Sequence, residues 1–227
     1  MSKQPETETA TAANDMAKAI RQGIAALILI AALTGLTIYA IQRITAPRIA
    51  DNMTAYATQT INQVLPDGIY DNQPQTDVYL ASSRTLLGSS TPMPAYRARL
   101  NSTAVAVVLT TEAPDGYVGP IRLLIAIDLD GNIIGLRALQ HQETPGLGDK
   151  IDADKTNWLQ QFIGASPTEE AADSGLSIDG GRIDHISGAT ITSRSVTKAI
   201  RNALLYYAEN KPALLAPPAN PQPTATR

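Results

Sequence analysis

The longest uncharged stretch of this chain, residues 23–41, leaves little choice about how that part of the chain folds. It consists mainly of Ala, Leu and Ile and is bounded by Arg21 and Arg43. A helix of about 20 apolar residues spans the hydrocarbon core of a bilayer. A cleaved signal peptide has a shorter apolar region that ends in a small-residue cleavage site, and residues 39–43 offer none. We therefore predict a single transmembrane helix over residues 23–42, held in the lipid bilayer.

The segments on either side of this helix differ in character. Residues 1–22 are polar and lack apolar periodicity, so we predict a largely disordered amino-terminal segment. Residues 43–94 are predicted to form a stalk helix, ending at a turn near residue 66, and then a loop-rich lead-in with one strand near 78–81. Positive residues flank both ends of the span, so charge alone does not set its orientation: Lys18 and Arg21 before it, Arg43 and Arg48 after it.

The middle of the chain carries the pattern of an antiparallel sheet. Asn101-Ser102 and Asp130-Gly131 are typical of tight turns between paired strands. The apolar and β-branched stretches that these turns join or follow are, in chain order, residues 95–100, 103–110, 121–128 and 133–139. We predict an α+β fold in which these four strands form an antiparallel meander with one covered face and flanking helices.

A helix and a tail are predicted to end the chain. Apolar residues recur at three- and four-residue spacing, which indicates a helix with one face on a core: Val196, Ala199, Ile200, Ala203, Leu204 and Tyr207. Five prolines follow between Lys211 and Arg227. Because proline interrupts helices and sheets, we expect neither from Lys211 onward and predict a disordered tail over residues 209–227. The folded domain is then predicted at residues 95–208.

Composition excludes several kinds of chemistry. Charged residues make up 17% of the chain and the formal net charge is −3, which gives no basic patch for nucleic acid. Without cysteine the chain has no disulfide, no thiolate ligand and no thioether-linked cofactor. With His141 and His185 as its two histidines, a metal site or a Ser-His-Asp arrangement is not expected, and both are predicted to make local hydrogen bonds.

Residues 184–193, Asp-His-Ile-Ser-Gly-Ala-Thr-Ile-Thr-Ser, concentrate hydroxyl groups on a glycine-containing turn just before the final helix. The free N–H groups and positive dipole end at a helix start favour a phosphate. This segment therefore places possible hydroxyl nucleophiles where a phosphate would bind. Taken alone, Thr190 can equally be a turn or helix-cap hydroxyl, and Asp184 a surface carboxylate.

The Asp-x-x-Ser-Gly-Ala-Thr pattern resembles the flavinylation motif of the FMN-binding domain family. In that family a transferase moves the FMN moiety of FAD onto the threonine hydroxyl, which is Thr190 here. Further blocks match at residues 113–117, 121–128 and 143–150, the last reading Glu-Thr-Pro-Gly-Leu-Gly-Asp-Lys. Together with the single amino-terminal helix, they make residues 20–208 resemble the G subunit of the Rnf (or Rsx) electron transport complexes.

That resemblance implies a site and a function. It implies FMN attached covalently to Thr190, Asp184 read by the transferase, and a second loop that contacts the flavin. In that loop Lys150 either stabilises the negative charge of the reduced flavin or is a solvated lysine. The residues implied to surround the cofactor are Ser187, Gly188, Ala189, Thr192 and Ser193, with Glu143, Thr144, Gly146, Leu147, Gly148 and Lys150 from the second loop.

The implied protein is a single-pass subunit of the bacterial inner membrane, with a cytoplasmic amino terminus and a periplasmic FMN-binding domain. It relays electrons in a translocase that couples ferredoxin and NAD chemistry to ion movement, or keeps a redox regulator reduced, and has no turnover alone. Its implied partners are the A, B, C, D and E subunits of the complex and an ApbE-like flavin transferase.

Three other interpretations remain open at the level of sequence. The C subunit of the sodium-pumping NADH:quinone reductase shares the motif, and its partner proteins would differ. A non-redox assembly scaffold would keep electron transfer intact after Thr190→Ala. A flavin-based sensor ectodomain would require a signalling output, which the short amino-terminal segment does not offer.

Overall fold

The computed structural model describes residues 21, 22, 24, 27–45, 58–66, 68–167 and 175–217. The predicted disordered amino-terminal segment, apart from residues 21 and 22, and the end of the predicted tail lie outside these residues. The chain divides into two units, Met1–Thr54 and Ala55–Arg227. Each unit is described separately below.

The first unit contains helix α1, Leu27–Thr45, which is long and apolar enough to cross a membrane, with a mean hydropathy of 1.8. Its large apolar side chains are all exposed, as suits contact with lipid. The hydroxyls of Thr34 and Thr37 donate to the carbonyls of Ile30 and Leu33, both at 2.8 Å, so neither needs water. The helix continues to Thr45 instead of ending at residue 42 as predicted.

The second unit is built on a five-stranded antiparallel sheet in which each strand pairs with its neighbours in the sequence. The fold class predicted from the sequence is confirmed, and the strand expected near 78–81 joins the four strands of the meander. Asn101 and Ser102 have φ of 50° and 66°, as a tight two-residue turn between paired strands requires. The strands are β1 Val78–Ser83, β2 Ser89–Leu100, β3 Thr103–Ala113, β4 Ile121–Asp128 and β5 Ile133–Gln140.

Strand β2 begins earlier than the sequence suggested, inside the predicted loop-rich lead-in. Its first half contains Pro92 and Pro94 and pairs only with β1, whereas pairing with β3 starts at Ala95. This half of β2 is therefore an edge, where a missing N–H is tolerated. A register shift between Ala81 and Ser83 lies opposite the stretch of β2 that contains Pro92, whereas Pro94 is in register with Leu80.

One face of the sheet packs against helix α2, Thr190–Leu215. The inward side chains of β4, Ile121, Leu123, Ile125 and Ile127, are fully buried in this layer. The six apolar residues of α2 predicted to face a core are all buried. Short 3-10 helices in the described part of this unit lie at Pro74–Thr76, Gly148–Ile151, Trp158–Phe162 and Ser177–Asp179.

The opposite face of the sheet is also covered, so the prediction of one covered face is wrong. Residues 58–62 are helical, and Ile61, Val64 and Leu65 are buried against Ala98, Ala106, Val108, Leu124 and Ala126. The described end of the predicted stalk helix is therefore part of the folded unit. Gly135 permits this contact, because a Cβ there would lie 2.8 Å from the carbonyl carbon of Val64.

The expectation that helix ends before Lys211 is also wrong, because α2 runs to Leu215 with Pro212 inside it. Two buried arginines of β2 bind the last carbonyl groups of this helix. Arg97 donates to the carbonyls of Ala213 at 3.0 Å and Leu214 at 2.6 Å, and Arg99 donates to Ala216 at 2.6 Å. These contacts stabilise a helix end that proline would otherwise weaken.

Candidate functional site

Three distant segments of the chain meet at the buried carboxylate of Glu143, which is 4% exposed. Its Oε1 atom accepts a hydrogen bond from the backbone N–H of Val118 at 3.1 Å, in the loop between β3 and β4. Its Oε2 atom accepts a hydrogen bond from the hydroxyl of Thr192, in the first turn of α2. Glu143 itself lies in the loop after β5, so one side chain links the two predicted site loops and a third that was not predicted.

Two glycines leave room for this carboxylate. A Cβ at Gly116 would lie 2.9 Å from Oε1 of Glu143, and a Cβ at Gly148 would lie 2.8 Å from Oε2. Both distances are closer than carbon and oxygen pack, so any larger residue would displace the carboxylate. Packing around Glu143 therefore requires a glycine at 148, and at 116 the carbonyl oxygen of Gly119, 2.1 Å from the Cβ position, requires one as well.

The turn that leads into α2 is held by the buried hydroxyl of Ser193. This hydroxyl accepts a hydrogen bond from the N–H of Ile186 at 2.9 Å and donates to the carbonyl of Ala189 at 3.0 Å. Gly188 has φ of +81°, which favours glycine, and a Cβ there would lie 2.9 Å from Leu147. Gly188 and Ser193 therefore shape the turn.

Thr190 is the first residue of α2 and is partly exposed. Its predecessor Ala189 is buried and makes no side-chain cap, and the first hydrogen bond of the helix runs from the N–H of Ser193. The first N–H groups of the helix therefore have no acceptor within the helix and are available to a group bound beside Thr190. Since Thr192 and Ser193 are buried and bonded within the protein, the accessible hydroxyls of the motif belong to Thr190 and Ser187.

Asp184 has a fixed backbone and a free side chain. Its carbonyl accepts a hydrogen bond from the indole N–H of Trp158 at 2.5 Å, and its N–H donates to the Gln161 side chain at 2.9 Å. The carboxylate is exposed and makes no hydrogen bond or ion pair within the part of the chain that the structure describes. Sequence reasoning missed Trp158 and Gln161 as partners of the motif, because no pattern connects segments so far apart.

The loop after β5 is folded around a single carbonyl. The oxygen of Thr144 accepts hydrogen bonds from the N–H groups of Leu147, Gly148 and Asp149, at 3.1, 3.0 and 3.4 Å. Gly146 has φ of +79°, and it is exposed at the tip of the loop. This conformation directs the side chain of Leu147 outward, where it is 43% exposed.

Within this loop Lys155 is the lysine paired with Asp149, and the role expected of Lys150 towards a reduced flavin stays a prediction. Lys155 lies 2.6 Å from the carboxylate of Asp149, whereas Lys150 has no ion pair among the described residues. The hydrogen bond from Lys155, and then that from the Gly146 N–H, holds the pKa of Asp149 below its usual value, and the same pair raises the pKa of Lys155. The carbonyl oxygen of Lys150 accepts a hydrogen bond from the hydroxyl of Thr156 at 2.5 Å.

His141 anchors the start of the loop, as the predicted local role requires. Its Nδ1 accepts the N–H of Glu143 at 3.1 Å, which leaves Nε2 as the donor to Asp152 at 2.9 Å. The contact fixes the backbone on which the Glu143 side chain stands.

Four exposed apolar residues belong to the three segments that meet at Glu143, and we call them the apolar rim. Val118 bonds Glu143, Leu147 touches the Gly188 turn, and Ile191 follows Thr190. Clustered exposed apolar residues on a folded domain mark a binding surface. The members of the apolar rim and their exposed fractions are Tyr117 66%, Val118 51%, Leu147 43% and Ile191 50%.

Comparisons with known proteins identify the region that contains these features. Residues 116–205 match the family model described as FMN-binding domain. A solved structure of the C subunit of Na(+)-translocating NADH-quinone reductase from Parabacteroides distasonis is 19% identical, with a TM-score of 0.45, over 69% of this chain and 90% of that one.

Full-length relatives give the family. The G subunit of the ion-translocating oxidoreductase complex of Pseudomonas aeruginosa is 41% identical over 82% of this chain and 88% of its own length. The G subunit of Shewanella loihica is 37% identical over 90% and 97%. The resemblance seen in residues 143–150 and 184–190 is thus confirmed. The chain belongs to the family of G subunits of ion-translocating oxidoreductase complexes and contains the FMN-binding domain of that family.

Proposed function

We propose that this protein is a membrane-anchored flavoprotein subunit of an ion-translocating oxidoreductase complex and carries FMN through a phosphoester at Thr190. The observation that carries the proposal is the position of Thr190. It is an accessible hydroxyl at the uncapped start of α2, inside the segment matched by the FMN-binding domain. Of the hydroxyls in the first turn of that helix, Thr192 and Ser193 are bonded to the protein itself.

The attachment reaction that we propose uses FAD and an external flavin transferase of the ApbE type. The Thr190 oxygen attacks the phosphorus on the FMN side of the pyrophosphate, and its proton leaves. The bond between that phosphorus and the bridging oxygen breaks, and AMP departs with the bridging oxygen. The exposed carboxylate of Asp184, on a backbone fixed by Trp158 and Gln161, is available for recognition by the transferase.

The residues present fit FMN. The helix-start N–H groups suit a phosphate linked to Thr190, and the apolar rim offers a surface for a planar ring. The exposed loop glycines at 146 and 188 keep side-chain bulk away from that surface. When bound, FMN would supply reversible electron acceptance and donation, whereas this chain has no other redox-active group of that kind.

We further propose that the FMN-binding domain lies on the periplasmic side of the inner membrane and relays electrons between the other subunits of the complex, A to E. A covalent tether suits a compartment where a dissociated flavin would be lost. The relay role is supported by the relatives, which are named as subunits of an ion-translocating oxidoreductase complex, and by the redox chemistry that FMN would supply.

The experiment is coexpression with a flavin transferase, followed by in-gel flavin fluorescence and intact-mass measurement. We expect a fluorescent wild-type band with a mass increase of one FMN, mapped to Thr190 by peptide analysis. Thr190→Val retains the shape of the side chain without the hydroxyl and is expected to be dark. Ser177→Ala is the matched control, because it removes an exposed hydroxyl outside the motif and is expected to stay fluorescent.

Two results would contradict the proposal. One is a dark wild-type band when the transferase labels a control substrate, which would favour a non-redox scaffold. The other is a Thr190→Val band that remains fluorescent, which would place the flavin elsewhere.

A further inference from the structure

We infer that Glu143 lowers the reduction potential of a flavin held at Thr190, acting as a fixed negative charge beneath the apolar rim. The inference rests on the proposed function and adds a specific role for one side chain. It depends on three observations: the burial of the carboxylate, its hydrogen-bond donors, and the absence of a cation paired with it among the described residues.

The geometry of the hydrogen bonds suits the carboxylate anion. Both oxygens of Glu143 accept hydrogen bonds, one from an N–H that can only donate and one from the Thr192 hydroxyl. Glu143 is 4% exposed, so water contributes little to solvating its charge. Backbone and hydroxyl dipoles solvate the charge instead.

This negative charge is not neutralised by a cation in the described part of the chain. The other buried carboxylate of the loop, Asp149, is paired with Lys155 at 2.6 Å. Glu143 has no salt bridge among the described residues. Its field therefore extends into the surrounding low-dielectric region instead of being cancelled locally.

The position of the carboxylate brings that field to the cofactor. Thr192, which bonds Glu143, lies in the same helical turn as Thr190, and Val118, which also bonds it, belongs to the apolar rim. A negative charge close to a ring opposes the arrival of an electron there, which lowers the potential. Glu143 thus acts by electrostatics and positioning and needs no direct contact with the flavin.

The test is a spectroelectrochemical titration of the flavin-loaded full-length protein in detergent, in the wild type and in Glu143→Gln. Glutamine keeps the shape: its oxygen can face the Val118 N–H and its amide can donate to the Thr192 oxygen. We expect the midpoint potential of Glu143→Gln to shift to a more positive value. Glu209→Gln removes a negative charge from an exposed site on α2. This site lies about 28 Å from Thr190 along the helix, at about 1.5 Å per residue, so the variant is expected to leave the potential unchanged.

Two more variants keep the inference falsifiable if Glu143→Gln folds poorly. Glu143→Asp retains the charge and is expected to stay closer to the wild-type potential than Glu143→Gln. Thr192→Val removes a hydrogen bond but not the charge, so its potential is expected at or below that of the wild type. A positive shift in Thr192→Val, or an unchanged potential in flavin-loaded Glu143→Gln, would overturn the inference. Failure of the wild type to carry any flavin would instead refute the proposed function.

Discussion

Four buried hydroxyl side chains near the start of α2 fall into two kinds. The Thr192 hydroxyl bonds Glu143, and the Ser193 hydroxyl holds the turn before the helix. The hydroxyl oxygens of Ser195 and Thr197 are buried without a hydrogen-bond partner in the described chain. A buried polar group contributes to stability only when it is hydrogen-bonded. The effect on stability of removing a hydroxyl therefore differs from one residue of this helix to another.

Ser193→Ala is expected to destabilise the protein by about 1–3 kcal/mol, because it leaves the buried N–H of Ile186 unpaired. Thr197→Val is the matched control, since it replaces an unpartnered buried hydroxyl by a methyl group of similar size. We expect that control to be neutral or stabilising. Urea unfolding followed by tryptophan fluorescence measures the stability of both variants. An equal loss of stability in the two would contradict the role given to the Ser193 hydroxyl.

Gly148→Ala is expected to disrupt the junction at Glu143. The new methyl group would lie 2.8 Å from the Glu143 carboxylate and 3.1 Å from the Thr192 hydroxyl, a clash of the kind that costs about 1–3 kcal/mol. Gly119→Ala, which meets no atom within 4 Å, serves as the control. Thermal unfolding of both variants checks the prediction, and a Gly148→Ala melting temperature equal to that of Gly119→Ala would refute it.

At this scale the sequence predicted two site segments, residues 143–150 and 184–193, and the structure brings them together. Thr190 and Glu143 stand out through their motifs, but Thr192 and Ser193 were predicted around the cofactor and are buried against protein. The spacing did carry a signal, because Ser193 precedes Val196 and Ile200 by three and seven residues and so shares their buried face. Contacts such as Val118 to Glu143 depend on tertiary packing and have no local signature.

At the scale of elements, the end of α2 depends on strand β2. Asp77 accepts hydrogen bonds from Arg97 at 3.1 Å and Arg99 at 2.5 Å, and the two guanidinium groups also bind the last helix carbonyls. This arginine pair joins residues 117 positions apart. The proline-rich composition after Lys211 predicts a tail, because composition does not reveal that a distant strand satisfies the helix end.

Arg97→Met is expected to destabilise the protein by about 1–3 kcal/mol, since it leaves the buried Leu214 carbonyl without its donor while Asp77 keeps Arg99 as a partner. Arg122→Met, in the exposed pair with Glu112 at 3.3 Å, is expected to change stability by less than about 1 kcal/mol. Chemical denaturation gives both values. Hydrogen exchange at residues 211–215 should increase in Arg97→Met and not in Arg122→Met, and protection that persists in both would contradict the proposed contact.

At the scale of the whole folded unit, Tyr207 links α2 to the turn between β4 and β5. Its hydroxyl donates to the carbonyl of Asp128 at 2.8 Å, and the residue is almost fully buried. Burial, followed by the charges of Asp128 and Asp130, raises the pKa of Tyr207 to about 12. A neutral tyrosine at this junction is therefore part of the folded state.

The sign of the resulting pH dependence follows from the direction of the shift. Because the folded pKa exceeds the unfolded value of 10.0, stability is complete below pH 10 and falls as pH rises towards about 12, by at most about 2–3 kcal/mol. Tyr207→Phe should be less stable than wild type at pH 8, through the lost hydrogen bond, and should lose less stability between pH 10 and 11.5. Tyr117→Phe, at an exposed residue, should follow the wild-type profile; parallel profiles for wild type and Tyr207→Phe would refute the prediction.

The sheet was largely predictable because its information is local. Each strand pairs with the next one in the chain, and the turns at Asn101-Ser102 and Asp130-Gly131 carry their own sequence signals. The second covered face was not predicted, since Leu124 and Ala126 have the pattern of a buried strand whichever element covers them. The antiparallel α+β fold thus follows from pattern, and the covering layers from tertiary contacts.

The consecutive order of the strands has a consequence for how the protein acquires its site during synthesis. Every pairing in the sheet forms between neighbours, so the meander has low contact order and is able to assemble as the chain emerges. The contacts that complete the site join residues far apart in the sequence, since Thr192 bonds Glu143, 49 residues earlier. Thr192 lies in α2, which is the last described element to leave the ribosome. Thr190 therefore reaches its final surroundings only after the sheet exists, so the attachment of flavin that we propose at Thr190 would be a late step of maturation that reports a completed fold.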